Sequence, residues 1–440
     1  MKKWTWMLAA GVAVSGARAA SLEERLRTPF AITANEDASA ANPLPLAKEV
    51  ATFEQILPAW SELHALLPAM TARANQERAL GLKVSIGFSP TSIAGLRTDI
   101  DLPPWVAAGC GLSTATASFS NPCLQAYFIA DATTVAAAVQ PDYFHLATEV
   151  NTLLLRKIAA PADQEFVNFG LLYRTAHDQV KAVVPACQVF VSFQYDLQKK
   201  FERDNPGSWD VFLGAYRGPG PSKLDVVGYT SYPCKTGFAD KLFATPWDIP
   251  SDYYAAAADH LSGAERPVFS EIGWPSDGSG SEATQRAFAD RLPELMAPAR
   301  PALVVWPLLH DIDPSFFLGN VDLATVGVRR SDGTPKPAWE VLTGAGAPTA
   351  GDPFRAVHAY PNPYRPAGGG VLRWSGLPPG ATGKIYGLRG SLVGQFAAND
   401  FGNAQWNGLD GDGGSVPSGV YFVVLASEGK TKRWKVVLQR

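Results

Sequence analysis

Three segments of the chain make up one strand–helix–strand unit: DYFHLATE (142–149), FVNFGLLYRTAHDQVKAV (166–183) and QVFVSFQY (188–195). The outer two are short runs of apolar and aromatic residues, which is typical of buried strands. The middle segment predicts an amphipathic helix, because its apolar residues recur at spacings of three and four. These residues are Phe166, Phe169, Tyr173, Ala176, Val180 and Val183. A strand, a helix and a second strand in succession favour a parallel sheet.

The same alternation continues on both sides of this unit. It predicts six further strands at Phe30–Ala34, Val50–Phe53, Lys83–Phe88, Asp225–Tyr232, Pro267–Glu271 and Leu303–Leu308. Eight strand–helix repeats predict an α/β fold of the closed (β/α)₈ TIM-barrel type over residues 22–343. An open doubly wound sheet is the alternative, but no Gly-rich phosphate-binding loop follows an early strand.

The pattern changes after Leu342. Residues 344–352 are rich in Gly, Ala, Pro and Thr and read as a linker. Beyond them, short alternating strands are separated by Gly, Pro, Asn and Asp turns, and no helical pattern occurs. Residues 353–440 are therefore predicted to form a small all-β, immunoglobulin-like sandwich.

The N-terminus has the features of a signal peptide over residues 1–19. Lys2 and Lys3 precede a largely apolar run from Trp4 to Val14, and the small residues of Ala17-Arg18-Ala19 suit a cleavage site. The apolar run is too short for a membrane span, which needs about 20 residues. We expect no transmembrane segment and an exported protein, secreted or on the cell surface, with the periplasm as the alternative.

Composition and motif content exclude several classes of partner and cofactor. The chain has 38 Lys and Arg against 41 Asp and Glu, with no basic cluster, so a nucleic-acid partner is not expected. Four cysteines in an exported chain permit two disulfides, and Cys110–Cys123 is favoured because both lie in one loop. No CxxC or HExxH motif occurs, so neither a metal site nor another cofactor is expected.

Two of the predicted strands end in a glutamate, Glu149 on the fourth and Glu271 on the seventh. Chemistry in a barrel takes place at the C-terminal ends of the strands. Strict alternation places Phe269 and Glu271 on one face of their strand. A glutamate that ends an apolar row costs desolvation unless it has a use. An N-cap or a rim ion pair explains one such glutamate equally well, but two on these strands favour a catalytic pair.

The flanking residues of both glutamates resemble glycoside hydrolase clan A, the "4/7" barrel superfamily. FSEIGWPS (269–276) resembles the nucleophile strand of plant-type endo-β-1,3-glucanases, and PDYFHLATEVN (141–151) resembles the acid/base strand of the clan, including the endo-β-1,4-galactanases. DVVGYTSYP (225–233) and VVWPLLHD (304–311) are similar to the sixth and eighth strands. The resemblance implies a retaining enzyme with Glu149 as general acid/base and Glu271 as nucleophile, their carboxyls about 5–5.5 Å apart.

One position departs from the clan pattern. The clan usually has Asn immediately before its acid/base, where it binds the sugar 2-hydroxyl, and this chain has Thr148 there and Asn only at position 151. Loss of that contact weakens transition-state stabilisation. We therefore expect a secreted retaining glycoside hydrolase that cleaves β-glycosidic bonds in a polysaccharide of the β-galactan or β-glucan type. The alternative is a weak or inactive barrel that acts as a carbohydrate-binding cell-surface protein.

Six further residues are candidates for substrate binding, each weighed against ordinary core packing: Asn151, Tyr229, Trp306, Trp274, Gln194 and Tyr232. Tyr229 is expected to hold Glu271 by a hydrogen bond, and Trp306 to form the floor under the scissile sugar. His145 is expected to be a core histidine. His310 and Asp311 reach the cleft or form a rim ion pair.

The C-terminal segment resembles FlgD-like immunoglobulin modules and the related sorting domains of type IX secretion. The matching stretches are YPNPYRP (360–366), GKIYGLRGSLVGQF (383–396) and WNGLDGDGGSVPSGVYFVVL (406–425). The resemblance implies sorting, spacing or attachment, with secretion machinery or the cell surface as partners.

Overall fold

The computed structural model describes the following residues: 20–92, 97–155, 162–234, 243–344, 354, 357–366, 370–378, 380–399, 402–427 and 429–440. The predicted signal peptide, and the linker beyond Gly344, lie outside the described residues. The chain divides into two compact units, one of them Ser21–Thr343 and the other containing the residues after Thr343. In the described part of the chain, no helix is both long and apolar enough to cross a bilayer.

The first unit is built on eight parallel strands that close into a barrel. These are β1 (Phe30–Ile32), β2 (Phe53–Ile56), β3 (Lys83–Gly87), β4 (Tyr143–His145), β5 (Gln188–Phe190 and Ser192–Gln194), β6 (Val227–Ser231), β7 (Pro267–Ile272) and β8 (Leu303–Trp306). Neighbours along the chain pair in parallel, and β8 pairs with β1. The break at Val191 divides β5, whose first segment pairs with β4 and whose second pairs with β6. The barrel is therefore closed, and the (β/α)₈ prediction is confirmed.

Most predicted strands differ from the observed ones by one or two residues at an end, and two strands differ by more. The second strand begins at Phe53, because Val50 is the last residue of a helix that starts at Leu44. The fourth strand ends at His145 and not at Glu149. Both differences arise where an apolar residue belongs to the helix or loop next to the strand.

Helices surround this barrel on the outside. They are α1 (Leu22–Leu26), α2 (Leu44–Val50), α3 (Leu63–Ala79), α4 (Pro104–Cys110), α5 (Pro122–Val139), α6 (Ala162–Val183), α7 (Tyr195–Asp204), α8 (Ser208–Arg217), α9 (Ala256–Asp259), α10 (Glu282–Met296), α11 (Val321–Ala324) and α12 (Pro337–Thr343). Short 3₁₀ helices lie at Trp60–Glu62, Val150–Leu155, Pro246–Asp248 and Pro314–Phe317. The predicted apolar face of α6 is buried from Phe166 to Val180, whereas Val183, in its last turn, is 38% exposed.

Two apolar clusters fill the unit. A small cluster inside the barrel joins side chains from six of the eight strands or their immediate ends: Ala31, Phe53, Phe190, Val226, Val268, Leu303 and Val305. The larger cluster lies between the outer strand faces and the helices and includes Phe166, Phe169 and Trp306. Because the inner cluster is a packed core, a ligand site is expected at the C-terminal ends of the strands and not inside the barrel.

The predicted disulfide is present. Cys110, the last residue of α4, is bonded to Cys123 near the start of α5, and it closes the loop between these helices. Cys187 is a buried free thiol and Cys234 is also buried, so the second disulfide that four cysteines permit is not formed.

The second unit is an all-β unit of two antiparallel sheets, as predicted. Its strands are β9 (His358–Tyr360), β10 (Leu372–Ser375), β11 (Thr382–Tyr386), β12 (Leu392–Ala397), β13 (Ala404–Trp406), β14 (Gly419–Ser427) and β15 (Lys430–Leu438). One sheet has the order β9-β10-β13 and the other β12-β11-β14-β15. The sheets share one apolar core, in which Trp374 of β10 stacks on Phe396 of β12 with ring centroids 4.2 Å apart. The finer resemblance to FlgD-like and sorting modules stays a prediction.

We predict that the barrel folds without the second unit, because each unit has its own apolar core. Residues 22–343 produced alone should be soluble and should unfold cooperatively at the temperature of the barrel transition in the full chain. Differential scanning calorimetry of both proteins measures this. Aggregation of the shortened chain, or a clearly lower transition temperature, would show that the second unit stabilises the barrel.

Candidate active site

The two glutamates lie at the same end of the barrel, because β4 and β7 are parallel and both glutamates are at or beyond the C-terminal ends of these strands. Each depends on a local departure from regular strand geometry. The two departures differ in kind.

Glu149 is positioned by a turn and not by strand alternation. After β4 ends, the backbone still follows β5, since the Leu146 amide donates to the Phe190 carbonyl at 2.8 Å and the Ser192 amide to the Ala147 carbonyl at 3.0 Å. Glu149 itself has a φ of 56°, in the left-handed region, and its amide donates to Ser192 Oγ at 3.1 Å. The 3₁₀ helix from Val150 follows directly. A left-handed residue reverses the chain direction and sets where this carboxyl points.

The Glu149 carboxyl is buried and has two protein partners. Thr230 Oγ1 donates to Oε1 at 2.6 Å, and Arg97 Nε lies 3.6 Å from Oε2. Burial raises the pKa of Glu149 to about 7, and the charges of Glu271 and Asp196 also raise it, while Arg97 and the Thr230 hydrogen bond lower it. Near neutral pH this carboxyl is therefore divided between its protonated and ionised forms.

Glu271 is positioned by a bulge in β7. Tyr229 of β6 is opposite Phe269, and the next residue, Thr230, is opposite Glu271, so Ser270 is the extra residue. Phe269 packs in the outer cluster against Tyr254, with ring centroids 5.0 Å apart. The expectation that Phe269 and Glu271 share a face is wrong, because the extra residue reverses the alternation between them.

The Glu271 carboxyl is partly open to solvent and accepts a hydrogen bond from Tyr232 Oη at its Oε2, 2.8 Å away. Burial raises the pKa of Glu271, while the positive charge of Arg97 and the Tyr232 hydrogen bond lower it. Thr230, which donates to Glu149 Oε1, is the register partner of Glu271, so the two glutamates lie close together at one end of the barrel. The carboxyl separation of about 5–5.5 Å that retention needs stays a prediction.

Arg97 is the cationic partner of both glutamates, and sequence reasoning missed it. Its carbonyl accepts from Thr152 Oγ1 at 2.9 Å, which ties its loop to the 3₁₀ helix after Glu149. Its amide donates to the Ser92 carbonyl at 2.7 Å. A single arginine in a loop carries no local signal, since only the folded barrel brings it next to the carboxyls.

Of the six candidate substrate-binding residues, Tyr232 is the one that contacts a glutamate. The hydrogen bond expected from Tyr229 comes from Tyr232, and Tyr229 Oη instead accepts from Trp209 Nε1 at 3.2 Å. Tyr229 lies within β6 and belongs to the helix-side core. Tyr232 is three residues further along the chain, just beyond the end of β6.

The other four candidates are buried and already have hydrogen-bond partners. Trp306 Nε1 donates to the Val326 carbonyl at 2.7 Å, and Trp274 Nε1 donates to Thr284 Oγ1 at 3.2 Å. Asn151 Nδ2 donates to the Gln194 carbonyl at 3.0 Å. Gln194 caps α7 by accepting from the Leu197 amide. Because all four side chains are buried, direct contact with a sugar would require them to move.

Thr148 and the histidines also have defined surroundings. Thr148 is buried, and within the described residues its hydroxyl has no hydrogen-bond partner. His145 stacks on Phe190 at 4.6 Å between ring centroids, and burial, with a contribution from Arg97, lowers the pKa of His145 to about 3, so it is a neutral core residue. Asp311 forms the expected ion pair, with Lys336 Nζ at 2.5 Å. In the part of the chain that the structure describes, no group of acidic, His and Cys side chains is arranged to hold a metal ion.

Known proteins match this chain by structure and not by sequence. No protein-family model and no curated protein matches it. A GH5_18 variant from Streptomyces cattleya, in complex with Manb1-4GlcNAc, matches with a TM-score of 0.53 and 13% identity, over 73% of this chain and 82% of that one. A family 39 glycoside hydrolase from Bacteroides cellulosilyticus WH2 matches with a TM-score of 0.52 and 15% identity, over 94% of this chain and 82% of that one.

The barrel has the fold of these glycoside hydrolases. The chain spans less than half the length of another match, Bacteroides uniformis beta-glucuronidase 2, of which it covers 46% with 94% of its own length, at 12% identity and a TM-score of 0.47. At the level of fold, the resemblance to barrel glycosidases is confirmed. The assignment of the site residues rests on the geometry described above and not on these matches.

We predict that Arg97→Gln raises the pKa of both glutamates, because Arg97 lowers both. Carboxyl ¹³C NMR titrations, assigned with Glu149→Gln and Glu271→Gln, measure this directly. Arg97→Lys keeps the positive charge and should leave both titrations close to those of the wild type. Unchanged titrations in Arg97→Gln would mean that Arg97 is not the counter-charge of this site.

Proposed function

We propose that this chain is a retaining β-glycosidase that acts on an extracellular or cell-wall polysaccharide. The observation that carries the proposal is a buried carboxyl with a pKa of about 7, Glu149, in the same cleft as a second carboxyl, Glu271, that accepts a tyrosine hydrogen bond. A general acid has to hold its proton near the working pH, and a nucleophile has to lose it. The shared fold of barrel glycosidases supports this assignment.

In the first step, Glu271 attacks the anomeric carbon of the sugar, and the bond from that carbon to the leaving oxygen breaks. Glu149 gives its proton to the leaving oxygen in the same step. In the second step, Glu149 takes a proton from water, whose oxygen attacks the anomeric carbon and releases Glu271. Tyr232 donates to Oε2 of Glu271 and leaves its Oε1 for the attack. Arg97 stabilises the negative charge that Glu271 carries before the first step and the negative charge that Glu149 carries after it.

The proposed substrate is a β-galactan or β-glucan type polysaccharide. The Streptomyces cattleya neighbour holds Manb1-4GlcNAc, a β-linked disaccharide, which supports β-linkage but not a particular sugar. The proposed signal peptide places the enzyme outside the cytoplasm, secreted or on the cell surface. We assign the all-β unit a sorting or attachment role on the resemblance given above.

A second candidate is a carbohydrate-binding surface protein without strong activity. Thr148 favours it, because this residue replaces the asparagine of the clan and its buried hydroxyl makes no hydrogen bond to the described residues. In that case the cleft binds sugar and the carboxyls have no catalytic role.

We predict that Glu271→Ala abolishes hydrolysis of aryl β-glycosides and that added azide restores release of the aryl group, because azide enters the space of the lost nucleophile and attacks the anomeric carbon. The azide product should be an α-glycosyl azide, which ¹H NMR identifies. Glu149→Ala should slow substrates with poor leaving groups by about 10²–10⁴-fold and largely spare dinitrophenyl glycosides. Glu49→Ala, at an exposed position of α2, is the matched control and should act like the wild type.

Two results would contradict this assignment. If the wild type hydrolyses no glycoside in a panel of aryl substrates and polysaccharides, but it and both variants bind oligosaccharide equally well, the protein is a binder. If hydrolysis occurs and Glu271→Ala retains it, the nucleophile has been assigned to the wrong residue.

We predict that Thr148→Asn raises kcat/KM roughly tenfold, because a new hydrogen bond to the sugar 2-hydroxyl contributes about 1–1.5 kcal/mol. The increase should be absent with 2-deoxy substrates. Thr148→Val keeps the shape and removes only the unpartnered hydroxyl, so it should behave like the wild type. An equal gain with 2-deoxy substrates would show that the asparagine acts by some other contact.

A further inference from the structure

Asp196 is a buried carboxylate behind the cleft, and neither the motifs nor the reaction above accounts for it. It is the second residue of α7, directly after β5, and it is 3% exposed. Tyr253 Oη donates to its Oδ1 at 2.6 Å, and Gln194 Nε2 donates to its Oδ2 at 3.1 Å. Ser231 Oγ lies within 3.1–3.2 Å of both oxygens.

The fourth donor connects Asp196 to the cleft. The backbone amide of Tyr232 donates to Asp196 Oδ2 at 3.3 Å, and the hydroxyl of the same residue donates to Glu271 Oε2 at 2.8 Å. Asp196 thus holds two consecutive residues, Ser231 and Tyr232, just where β6 ends. The Ser231 hydroxyl is fixed in turn by Tyr254 Oη at 2.9 Å. With β6 ended, these contacts take over the positioning of the Tyr232 backbone.

We infer that Asp196 is a positioning residue of the active site, because it anchors the turn that carries Tyr232 and places a fixed negative charge near Glu149. It does not touch the reacting atoms. The inference rests on the proposed glycosidase function, since it assigns Asp196 a role in orienting the nucleophile and in setting the charge of the acid.

The charge of Asp196 follows from its contacts. All four of its partners donate hydrogen bonds to it. An ionised carboxylate can accept all of them, whereas the hydrogen of a protonated acid would point at one of the donors. Burial raises the pKa of Asp196 above its ordinary value, and the hydrogen bonds from Tyr253, Gln194, Ser231 and the Tyr232 amide offset part of that rise. Its charge is among the causes that raise the pKa of Glu149.

Several other charged and titratable groups face these three carboxyls. Arg97 faces both glutamates, Glu149 and Glu271 face each other, Tyr232 faces Glu271, and Tyr253 and Lys199 face Asp196. Lys199 Nζ lies 4.4 Å from the centre of the Tyr253 ring. Removal of the Asp196 charge therefore removes one cause that raises the pKa of Glu149, while the effect of Arg97, which lowers that pKa, remains.

A residue with only a structural role would change stability and leave the pH dependence alone. Loss of Asp196 should also change the pH profile of kcat/KM, and it should shift the acidic and basic limbs in opposite directions. If Tyr232 loses its position, the pKa of Glu271 rises, and the acidic limb of kcat/KM moves to higher pH. If the charge near Glu149 disappears, the pKa of Glu149 falls, and the basic limb moves to lower pH. The bell narrows from both sides.

The test is Asp196→Asn in the full chain, measured with aryl β-glycosides across the pH range. We expect the narrowed bell and a fall in kcat of roughly 10²-fold, because a displacement of about 1 Å at a reacting group costs that much. Tyr232→Phe removes the hydroxyl and keeps the Asp196 charge, so it should move only the acidic limb. Tyr253→Phe removes one donor to Asp196 and is the milder second variant, with smaller shifts in the same sense as a displaced Tyr232.

Asp131→Asn is the matched control. Asp131 is also a buried aspartate with several donors, because it accepts from Trp60 Nε1 at 2.8 Å and interacts with His64 Nε2 at 2.7 Å, but it lies on α5, away from the glutamates. Its loss should lower the melting temperature and leave both limbs of the profile in place.

A crystal structure of Asp196→Asn and carboxyl NMR titrations provide readouts that do not depend on activity. We expect the distance from Tyr232 Oη to Glu271 Oε2 to exceed 3.5 Å and the pKa of Glu149 to fall. An intact Tyr232–Glu271 hydrogen bond with unchanged titrations would overturn the inference, even if the wild type is an active glycosidase. If the wild type hydrolyses nothing, the proposed function fails, and these two measurements still decide the role of Asp196.

Discussion

Closure of the parallel sheet is the constraint on which the rest of the barrel depends. The fifth strand achieves it, because its first segment pairs with β4 and its second with β6 across the break at Val191. Closure brings the C-terminal ends of β4, β6 and β7 to one mouth, which is where Glu149, Thr230 and Glu271 meet. In an open sheet, β4 and β7 would lie three strand positions apart, about 14 Å, and their carboxyls would not share a cleft.

The cleft then has to accommodate several acids that water would otherwise solvate. An isolated buried carboxylate is costly, so such groups either hold a proton or have a partner that offsets the charge. Arg97 forms an ion pair with Glu149 and its charge also lowers the pKa of Glu271, while Asp196 accepts from four uncharged donors. The carboxyls therefore have unequal surroundings, and burial raises the pKa of Glu149 to about 7, so that it is about half-protonated near pH 7. This inequality is the physical basis for assigning one glutamate as acid and the other as nucleophile.

Both glutamates sit where the regular backbone is interrupted. Glu149 adopts a left-handed conformation, which costs a non-glycine residue about 1–2 kcal/mol, and Glu271 follows the extra residue of a bulge. Such irregularities persist only when the surroundings determine them. Here Ser192 fixes the amide of Glu149, and the carbonyl of Ser270 accepts from Gln55 Nε2 at 3.1 Å inside the barrel. The Asp196 contacts have a comparable function at the end of β6.

The amino-acid sequence was sufficient to predict the features that depend on local pattern. The alternation of strands and helices predicted the eight-stranded barrel, and the change in sequence pattern after Leu342 predicted the all-β unit. The position of Cys110 and Cys123 in one loop predicted their disulfide. It also singled out Glu149 and Glu271, because an acid at the end of an apolar strand is unusual at any position. These signals are short-range, so they survive without knowledge of the fold.

The side chains that surround those glutamates could be identified only in the folded protein. Arg97, Thr230 and Asp196 come from a loop, a strand and a helix that are far apart in sequence, and nothing in their sequence neighbours marks them. Tyr229 and Tyr232 are equivalent by pattern, and the end of β6 between them determines that Tyr232 reaches Glu271. Strict alternation predicted that Phe269 and Glu271 share one face of β7, and the bulge at Ser270 places them on opposite faces. Side-chain direction at strand ends depends on hydrogen bonds to neighbouring strands, and those partners exist only after the barrel has closed.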